Sequence, residues 1–220
     1  MKIIRVSYDL EDKMPVFTNN LPNKIEAIDS FNKGATWNSY KITLFNHNGT
    51  HIDAPYHFDR QGKRVGEFAI NDFIFDKPHL IDLPKRAGES IGADELQACP
   101  RNCDLLLLRT GFWKKRQKKE YVSNSPWLHP EAAGFIREKF KGLKAIGIDT
   151  ISIASFPHLE LGGEAHRLLL KDKSRLMIIE DLNLGAIARR ARIKRFFAIP
   201  LFVSQVDSMP CTAFAEVSGG

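Results

Sequence analysis

The stretch Asn46–Phe58, which reads N-H-N-G-T-H-I-D-A-P-Y-H-F, concentrates reactive side chains in thirteen residues. It holds three of the seven histidines of the chain, one carboxylate, and a glycine and a proline that restrict the backbone. His47, His51, Asp53 and His57 all occupy odd-numbered positions, so in an extended strand their side chains would face the same side. This pattern predicts that the stretch lines a functional site.

The backbone of this stretch is expected to bend. A flat strand that rises about 3.3 Å per residue would separate His47 and His51 by roughly 13 Å, which is too far for both to bind one ion. Gly49 can adopt backbone angles closed to other residues, and Pro55 fixes one dihedral angle. An α-helix would also bring the two histidines together, as in H-E-x-x-H zinc sites, but Asn48 stands where that motif has Glu. Gly, Thr and Ile are also poor helix formers, so we predict a bent strand or loop.

Histidine and carboxylate side chains at this density suit a borderline divalent metal, most naturally zinc or manganese. A lone histidine is more often a surface residue or a hydrogen-bonded core residue than a ligand. The repeated spacing H-x3-H-x-D-x3-H, on a frame that includes Gly-Thr and Pro, instead favours metal chemistry.

The segment His47–His57 matches, without a gap, the signature H-x-G-T-H-x-D-x-P-x-H of the cyclase family of metal-dependent hydrolases, which includes bacterial kynurenine formamidases. The chain therefore resembles this family, and weaker similarities occur in Leu107–Phe112, Gly147–Thr150 and His166–Glu180. The resemblance implies an α/β fold of the swivelling β/β/α type, with a mixed β-sheet core and flanking helices. It further implies a single domain over residues 1–220 that assembles as a homo-oligomer, either a dimer or a tetramer.

The resemblance also implies the metal ligands. His47, His51 and Asp53 would hold a first ion, and Asp53 together with Glu180 would bridge to a second ion that His166 also binds. The spacing between His166 and Glu180 is longer than in the family, so a longer turn is expected over Lys171–Ser174. The alternative for His166 is an ordinary histidine on a helix face.

The choice of Glu180 over its neighbour Asp181 rests on local pattern. An apolar strand, R-L-M-I-I-E, ends at Glu180, and a helical pattern follows over Leu182–Ala188. Asp181 is then expected to cap that helix.

Two further site residues follow from the resemblance. His57 corresponds to the acid–base residue of the family, and histidine can exchange a proton near neutral pH. The alternative for His57 is to orient a ligand. Family members usually carry a tryptophan in the region of Phe17 that helps to hold the substrate, so Phe17 is a candidate substrate contact, with plain packing as the alternative.

The implied function is hydrolysis of a small amide by a metal-activated water, with an N-formyl or cyclic amide as substrate, as in arylformamidases. The alternatives are a cyclase or dehydratase, a lactone hydrolase, and a non-catalytic metal-binding homologue. His57 argues against the last alternative, because a protein that only holds metal does not need another histidine beside its ligands.

Composition is ordinary for a globular protein of one domain, with 43% hydrophobic and 26% charged residues among 220. No apolar run is long enough to cross a membrane, and Arg5 and Asp9 interrupt the first apolar run, which argues against a secretory signal. Three cysteines cannot all be paired, which favours a reducing, cytoplasmic location.

The net charge of +6 comes largely from the basic runs Lys114–Lys119 and Arg189–Arg195. Neither run has the interleaved aromatic residues of a single-strand nucleic-acid platform, and the second has the pattern of an amphipathic helix with a solvated face. We therefore expect a small-molecule substrate as the partner, with no nucleic acid and no membrane.

The remaining sequence alternates strand and helix patterns. The glycines of Gly162-Gly163 are expected to interrupt the chain before a short helical turn over Glu164–Leu170, and a helix is expected to start at Asp94-Glu95. The longer helix is expected over Pro130–Lys141. Strands are expected over Lys2–Tyr8, Trp37–Phe45, His79–Leu83, Asp104–Thr110, Ala145–Ile153, Arg175–Glu180 and Phe196–Val203.

Overall fold

The computed structural model describes residues 1–171 and 175–219. Three α-helices are present in this part of the chain: α1 (Glu120–Ser123), α2 (Pro130–Lys139) and α3 (Leu159–Leu170). Short 3-10 helices connect many of the elements. The strands are β1 (Lys2–Arg5), β2 (Lys24–Asp29), β3 (Ser39–Thr43), β4 (His51–Asp53), β5 (Ile74–Phe75), β6 (Pro78–Asp82), β7 (Ser90–Ile91), β8 (Leu105–Arg109), β9 (Trp127–Leu128), β10 (Ala145–Ile148), β11 (Met177–Glu180), β12 (Arg192–Pro200) and β13 (Ser208–Ser218).

The principal sheet is mixed and runs in the order β6-β8-β10-β11-β4-β13-β12-β5, with β1 also paired to β13. Strands β6, β8, β10 and β11 are parallel, whereas β4 is antiparallel to both of its neighbours. The change of direction at β4 puts the short strand that carries the histidine motif at the middle of the sheet. The predicted fold class, a mixed sheet with flanking helices, is therefore confirmed.

Each buried parallel strand contributes side chains to both faces of the sheet. In β8, Leu105 and Leu107 pack into one hydrophobic cluster, and Leu106 and Leu108 pack into the other. This two-sided burial explains why the strand reads as a continuous apolar run rather than an alternating one.

The two faces are covered differently. Helices α2 and α3 cover one face, to which they contribute Ala133, Ile136, Ala165 and Leu169. On the other face, the sheet curves until β12 approaches β6, so that Phe196 and its neighbours fill the space between the two halves. The result is a nearly closed sheet with the helices on its outer face.

The prediction that Gly162-Gly163 interrupts the chain is wrong, because α3 runs through both residues as one helix of 12 residues. The reason is close packing: a Cβ atom at position 162 would lie 2.4 Å from the Cβ of Ala154. Gly162 therefore lets α3 approach the segment that follows β10, which brings His166 to the sheet.

The helix predicted at the basic run Arg189–Arg195 is also wrong, since β12 begins at Arg192 and pairs with β13. Arg192 and Lys194 are exposed on either side of the partly buried Ile193, and a β-bulge between Ile193 and Arg195 leaves Arg195 exposed as well. Asp94-Glu95 begins only a 3-10 turn. The turn predicted for Lys171–Ser174 lies, beyond Lys171, outside the described residues.

Asp181 does not cap a helix. A 3-10 turn over Leu184–Ala186, preceded by Asn183, replaces the predicted helix. Asp181 is instead a buried residue at φ 52° whose carboxylate accepts hydrogen bonds from Arg116 and Tyr121. It therefore anchors the loop after β11.

Several features of the fold have no counterpart in the predictions. Strand β13 ends the chain as the partner of β12, β4 and β1, and β2 forms an exposed two-stranded arm with β3. Several predicted strands are also longer than those observed, such as Lys2–Tyr8 against Lys2–Arg5 for β1. Among the described residues, no helix combines the length and apolar character needed to cross a bilayer.

Candidate metal centre and active site

The site is built on β4, which lies between β11 and β13. His51 is opposite Glu180 in the antiparallel pair with β11, and Asp53 is opposite Ser208 in the pair with β13. Because side chains alternate along a strand, His51 and Asp53 face the helical side while Ile52 packs into the opposite core. The register of three strands thus gathers the polar side chains on one face.

The turn before β4 is held by its own motif residues. Gly49 has φ of +72°, which a side chain rarely tolerates, and an added Cβ would lie 2.7 Å from Met14 Cε. The Thr50 hydroxyl donates to the Asp181 carbonyl at 2.6 Å, and the Asn48 amide donates to the Leu21 carbonyl at 2.8 Å. These contacts confirm the predicted bend.

His51, His166 and Glu180 form a buried half of the site, in which each side chain is at least 94% buried. Nδ1 of His51 donates to the Gly49 carbonyl at 2.7 Å, and Nδ1 of His166 donates to the Gly162 carbonyl at 2.8 Å. Both Nε2 atoms lie 3.4 Å from a Glu180 oxygen. Backbone carbonyls therefore orient the two imidazoles toward the Glu180 carboxylate.

The Glu180 carboxylate is itself fixed by the segment after β10. Its Oε1 accepts a hydrogen bond from the Ser152 hydroxyl at 2.9 Å and from the Ile153 amide at 2.7 Å. The carboxylate is thus oriented by two donors in addition to the two imidazoles.

His47, His57 and Asp207 form an open half at the mouth of the site, with side chains 17–28% exposed. Oδ2 of Asp207 lies 3.0 Å from Nε2 of His47 and 2.7 Å from Nδ1 of His57. The two imidazole rings are 4.3 Å apart between centroids. The Asp207 carboxylate therefore orients the two imidazoles of the open half, as backbone carbonyls orient those of the buried half.

Asp53 joins the two halves. Its Oδ1 lies 2.9 Å from Nδ1 of His47 and 3.5 Å from Nε2 of His51. Donor atoms of His51, Asp53 and Glu180 all lie within 4.8 Å of one another, as do those of His47, Asp53 and His57. One carboxylate is thus common to both groups.

The donor set fits a divalent metal. Nε2 of His51 is buried without a hydrogen-bond partner in residues 1–171 and 175–219, which is costly for a polar atom. Oδ1 of Asp53, also buried, lies 2.9 Å from Nδ1 of His47 and 3.5 Å from Nε2 of His51. Imidazole nitrogens and carboxylate oxygens are ligands that zinc and manganese accept. A cation between these atoms would satisfy both of them.

The pKa shifts of the site residues also favour a bound cation. Burial alone would raise the pKa of Asp53, but the neighbouring His47, His57 and His51 hold it well below its usual value. Burial would also raise the pKa of Glu180, but His166 and His51 lower it to about 2. Burial alone would lower the pKa of His47, but Asp53 and Asp207 raise it to about 10. Ionised carboxylates in a buried site thus attract positive charge, which protons or a metal ion can supply.

A cavity of about 380 Å³ opens over these residues. The side chains of Phe17, Phe45, Phe58, Ile151 and Leu159 form its apolar walls. A larger surface groove of about 610 Å³ lies beside β6, but its lining includes none of the predicted metal ligands. The smaller cavity, with apolar walls and convergent polar groups, has the character of a small-molecule site.

The structure brings all of the sequence-predicted site residues to this cavity: Phe17, His47, His51, Asp53, His57, His166 and Glu180. Asp149, which directly follows β10, does not line this cavity. Its carboxylate accepts hydrogen bonds from Thr110 and Gly111, and burial raises its pKa to about 6 against the effect of those bonds.

Sequence reasoning missed Asp207, Asn46 and Ser152. Asp207 stands alone in Q-V-D-S-M-P, without other acidic or histidine residues beside it. Only the pairing of Ser208 with Asp53 brings it to the histidines. No local signal in the sequence could have identified it.

A family model named Cyclase, with the description "Putative cyclase", matches residues 4–155. The kynurenine formamidase of Bacillus anthracis is 32% identical over 213 residues, which span 96% of this chain and 96% of that protein.

Solved structures share the fold. Isatin hydrolase A from Labrenzia aggregata, bound to benzyl benzoate, superposes with a TM-score of 0.82 at 22% identity and covers 99% of this chain and 94% of its own. A structure titled as a potential metal-dependent hydrolase with cyclase activity has a TM-score of 0.77 at 24% identity, over 97% of this chain and 96% of its own. At these identities the similarity concerns the fold.

Proposed function

This chain belongs to the cyclase family, and from that premise we propose that it is a metal-dependent hydrolase that cleaves a small amide. The observation that carries the proposal is the convergence of histidine and carboxylate donor atoms within 4.8 Å of one another, in two groups that share Asp53, beneath an apolar cavity. Buried carboxylates and imidazoles at this density are the donor set that a divalent metal binds.

We assign five residues to metal binding. His47, His51 and Asp53 would hold one divalent ion, and Asp53, His166 and Glu180 would hold a second, so that the chain binds two ions of Zn2+ or Mn2+. When bound, such ions supply an acidified water and polarise the substrate carbonyl. The chain's own contribution is to fix the imidazoles, through Gly49 and Gly162 carbonyls in the buried half and through Asp207 in the open half.

His57 is assigned as the acid–base residue. Its Nδ1 donates to Asp207, which leaves Nε2 free to accept or deliver a proton at the cavity. Transfer to the departing amine nitrogen is the step that amide cleavage requires of a general acid. The arrangement disfavours a protein that only holds metal.

The cavity favours a flat, partly aromatic amide. Phe17 lines it beside Phe45, and we propose that Phe17 contacts the substrate where family members usually have tryptophan. The relatives are named for kynurenine formamidase and isatin hydrolase activity, which suggests an N-formyl arylamide or a cyclic amide. Apolar walls near the donor cluster suit such a ring.

The test is a rate assay on protein purified without chelator and supplemented with Zn2+ or Mn2+. We expect hydrolysis of at least one amide from a panel of aryl formamides, lactams and lactones, and we expect chelation to abolish it. His79→Ala, which changes a histidine on β6 outside the cavity, is the matched control and should retain full activity. Turnover that survives complete metal removal, or no turnover of any amide, would contradict the proposal.

We also propose that residues 1–220 act as one domain and assemble as a homo-oligomer, most simply a dimer. The supporting feature is the arm of β2 and β3, since an isolated two-stranded hairpin is marginally stable in water. Ile25 is paired with Ile42, and Tyr40 and Ile42 on this face are 57% and 58% exposed. A second copy would cover this face, so light scattering should give a dimer mass that Ile42→Lys reduces.

A cytoplasmic location is proposed from the cysteines. Cys99, Cys103 and Cys211 are buried free thiols, and burial raises the pKa of Cys103 to about 11. Thiols kept in the protonated form and away from solvent suit a reducing compartment. Fractionation of the native cells would test this location.

A further inference from the structure

Asp207 is the residue of the site that neither the sequence motif nor the assigned ligand set includes. It lies directly before β13, and its backbone carbonyl accepts a hydrogen bond from the Ala54 amide at 2.8 Å. Its Oδ1 accepts a hydrogen bond from the Asn46 side chain, also at 2.8 Å. Main chain and side chain are therefore both tied to the ends of the histidine motif.

The other carboxylate oxygen of Asp207 contacts two imidazoles at once. Oδ2 lies 3.0 Å from Nε2 of His47 and 2.7 Å from Nδ1 of His57. An ionised carboxylate can only accept, so both ring nitrogens act as donors. The remaining nitrogens are then Nδ1 of His47, which faces Asp53, and Nε2 of His57.

This arrangement fixes the tautomer of both rings. A ligand histidine is commonly oriented by a carboxylate that accepts its second N–H, and the same contact makes the ligand more basic. An acid–base histidine likewise needs one nitrogen held so that the other is free to exchange protons. Here a single oxygen serves both purposes.

We propose that Asp207 is a positioning residue that orients the metal-ligand nitrogen of His47 and the acid–base nitrogen of His57 through one shared oxygen. This inference rests on the proposed function, because it presumes that His47 binds metal and that His57 transfers protons. It makes the open half one unit, in which metal binding and proton transfer depend on the same carboxylate.

A purely structural role fits the contacts less well. The backbone of residue 207, not its carboxylate, makes the link to Ala54 that ties the two strands together. The side chain is 28% exposed and has no ion pair with Lys or Arg in the described part of the chain. Its only cationic or potentially cationic partners there are the two histidines.

The test uses Asp207→Asn, which keeps the shape of the side chain but removes its charge. We expect the affinity of metal-stripped protein for Zn2+ or Mn2+ to fall by about 10–100-fold, and kcat to fall by a similar factor with little change in KM. Asp76→Asn, an exposed aspartate paired with Arg195 on the surface, is the matched control and should leave both quantities unchanged.

Two further measurements separate positioning from structural damage. In a His57→Ala background, Asp207→Asn should cause no additional loss of kcat at saturating metal, because the acid–base residue is absent and saturating metal offsets the weaker binding at His47. Nitrogen-detected spectra of the metal-free protein should show the Nδ1–H form of His57 in the wild type and a redistribution between forms in Asp207→Asn. Asn46→Ala, which frees Oδ1, should shift metal affinity in the same direction by less.

Metal affinity and kcat within twofold of the wild type in Asp207→Asn would overturn the inference. The inference would also be overturned if Asp207→Asn lowered kcat as much in the His57→Ala background as in the wild type. It would likewise be overturned if unfolding accounted for the loss of metal affinity and kcat in both Asp207→Asn and Asn46→Ala. The titration and the spectra need no substrate, so they remain decisive even if the amide panel shows that the proposed reaction is wrong.

Discussion

The two halves of the site are oriented by different kinds of partner. In the buried half, the imidazoles of His51 and His166 donate to backbone carbonyls, whereas in the open half His47 and His57 share the Asp207 carboxylate. A backbone carbonyl has one protonation state and moves only with the chain. A side-chain carboxylate carries a negative charge, and His47 and His57 hold the pKa of Asp207 well below its usual value against the effect of burial. The difference indicates that backbone carbonyls orient the proposed ligands His51 and His166, whereas one charged side chain orients both the proposed ligand His47 and the acid–base residue His57.

The largest effect is expected from Asp53→Ala, because Asp53 is the only carboxylate common to both donor groups. We expect this variant to lose more metal than any single histidine variant and to have no detectable activity. Elemental analysis of metal-supplemented protein provides the measurement. Metal retention equal to the wild type would break the claim that one residue joins the halves.

Glu180→Gln should empty only the second proposed metal site, that of Asp53, His166 and Glu180. The change removes the charge that faces His51 and His166, so we expect about one ion fewer per chain and a severe loss of activity. The matched variant is Asp181→Asn at the next position, which should retain its metal. The reverse outcome, with metal lost only in Asp181→Asn, would show that the ligand is misassigned by one residue.

Asp181→Asn should instead destabilise the fold. It weakens a buried ion pair with Arg116, and breaking such a pair typically costs about 3–5 kcal/mol. Thermal unfolding of the two variants therefore provides an independent readout. We expect the larger drop in Tm in Asp181→Asn.

His57→Ala tests the open half. General acid–base participation contributes about 10²–10⁴-fold, so we expect a loss of kcat in that range with metal content retained. His47→Ala should lose both metal and activity. Full turnover in His57→Ala would place the proton transfer elsewhere.

Gly162→Ala tests how α3 delivers His166 to the buried half. The added methyl group would lie 2.4 Å from Ala154 Cβ, and overpacking of this kind costs about 1–3 kcal/mol. Gly163→Ala is the matched control, since its nearest neighbour is the flexible end of Arg167 at 3.7 Å. Chemical denaturation should show destabilisation only in Gly162→Ala, and equal stability would contradict the packing argument.

Metal affinity should rise with pH. Because the pKa of His47 is raised to about 10 in the metal-free protein, its imidazole carries a proton at neutral pH that a metal must displace. We expect the apparent affinity to increase about tenfold per pH unit for each proton released between pH 6 and 9. An affinity constant across that range would mean that no such proton is displaced.

The sequence predicted the motif and its neighbours well because the information there is local. Side-chain alternation and the turn residues Gly49 and Pro55 lie within thirteen residues, so the bend of the segment could be reasoned from them. The run Asp104–Thr110 was equally clear, because burial on both faces removes polar residues from a strand.

The wrong or missing predictions concern residues whose structure depends on contacts with residues far away in the sequence. Gly162 has the appearance of a helix breaker, and only its packing against Ala154 explains why the helix continues. Strand β13 buries Cys211, Ala213 and Ala215, small residues that give a weak strand signal. Asp207 depends on the register of that strand, so it could not be recognised before the strand itself.

The central claim is that a divalent ion lies between His51 and Asp53. The most direct test is anomalous diffraction at the metal edge from crystals grown with Zn2+ or Mn2+. We predict a peak within about 2.0–2.2 Å of both His51 Nε2 and Asp53 Oδ1, which face each other across 3.5 Å in the buried part of the site. Crystals of metal-replete protein with no peak between these two atoms would contradict the account.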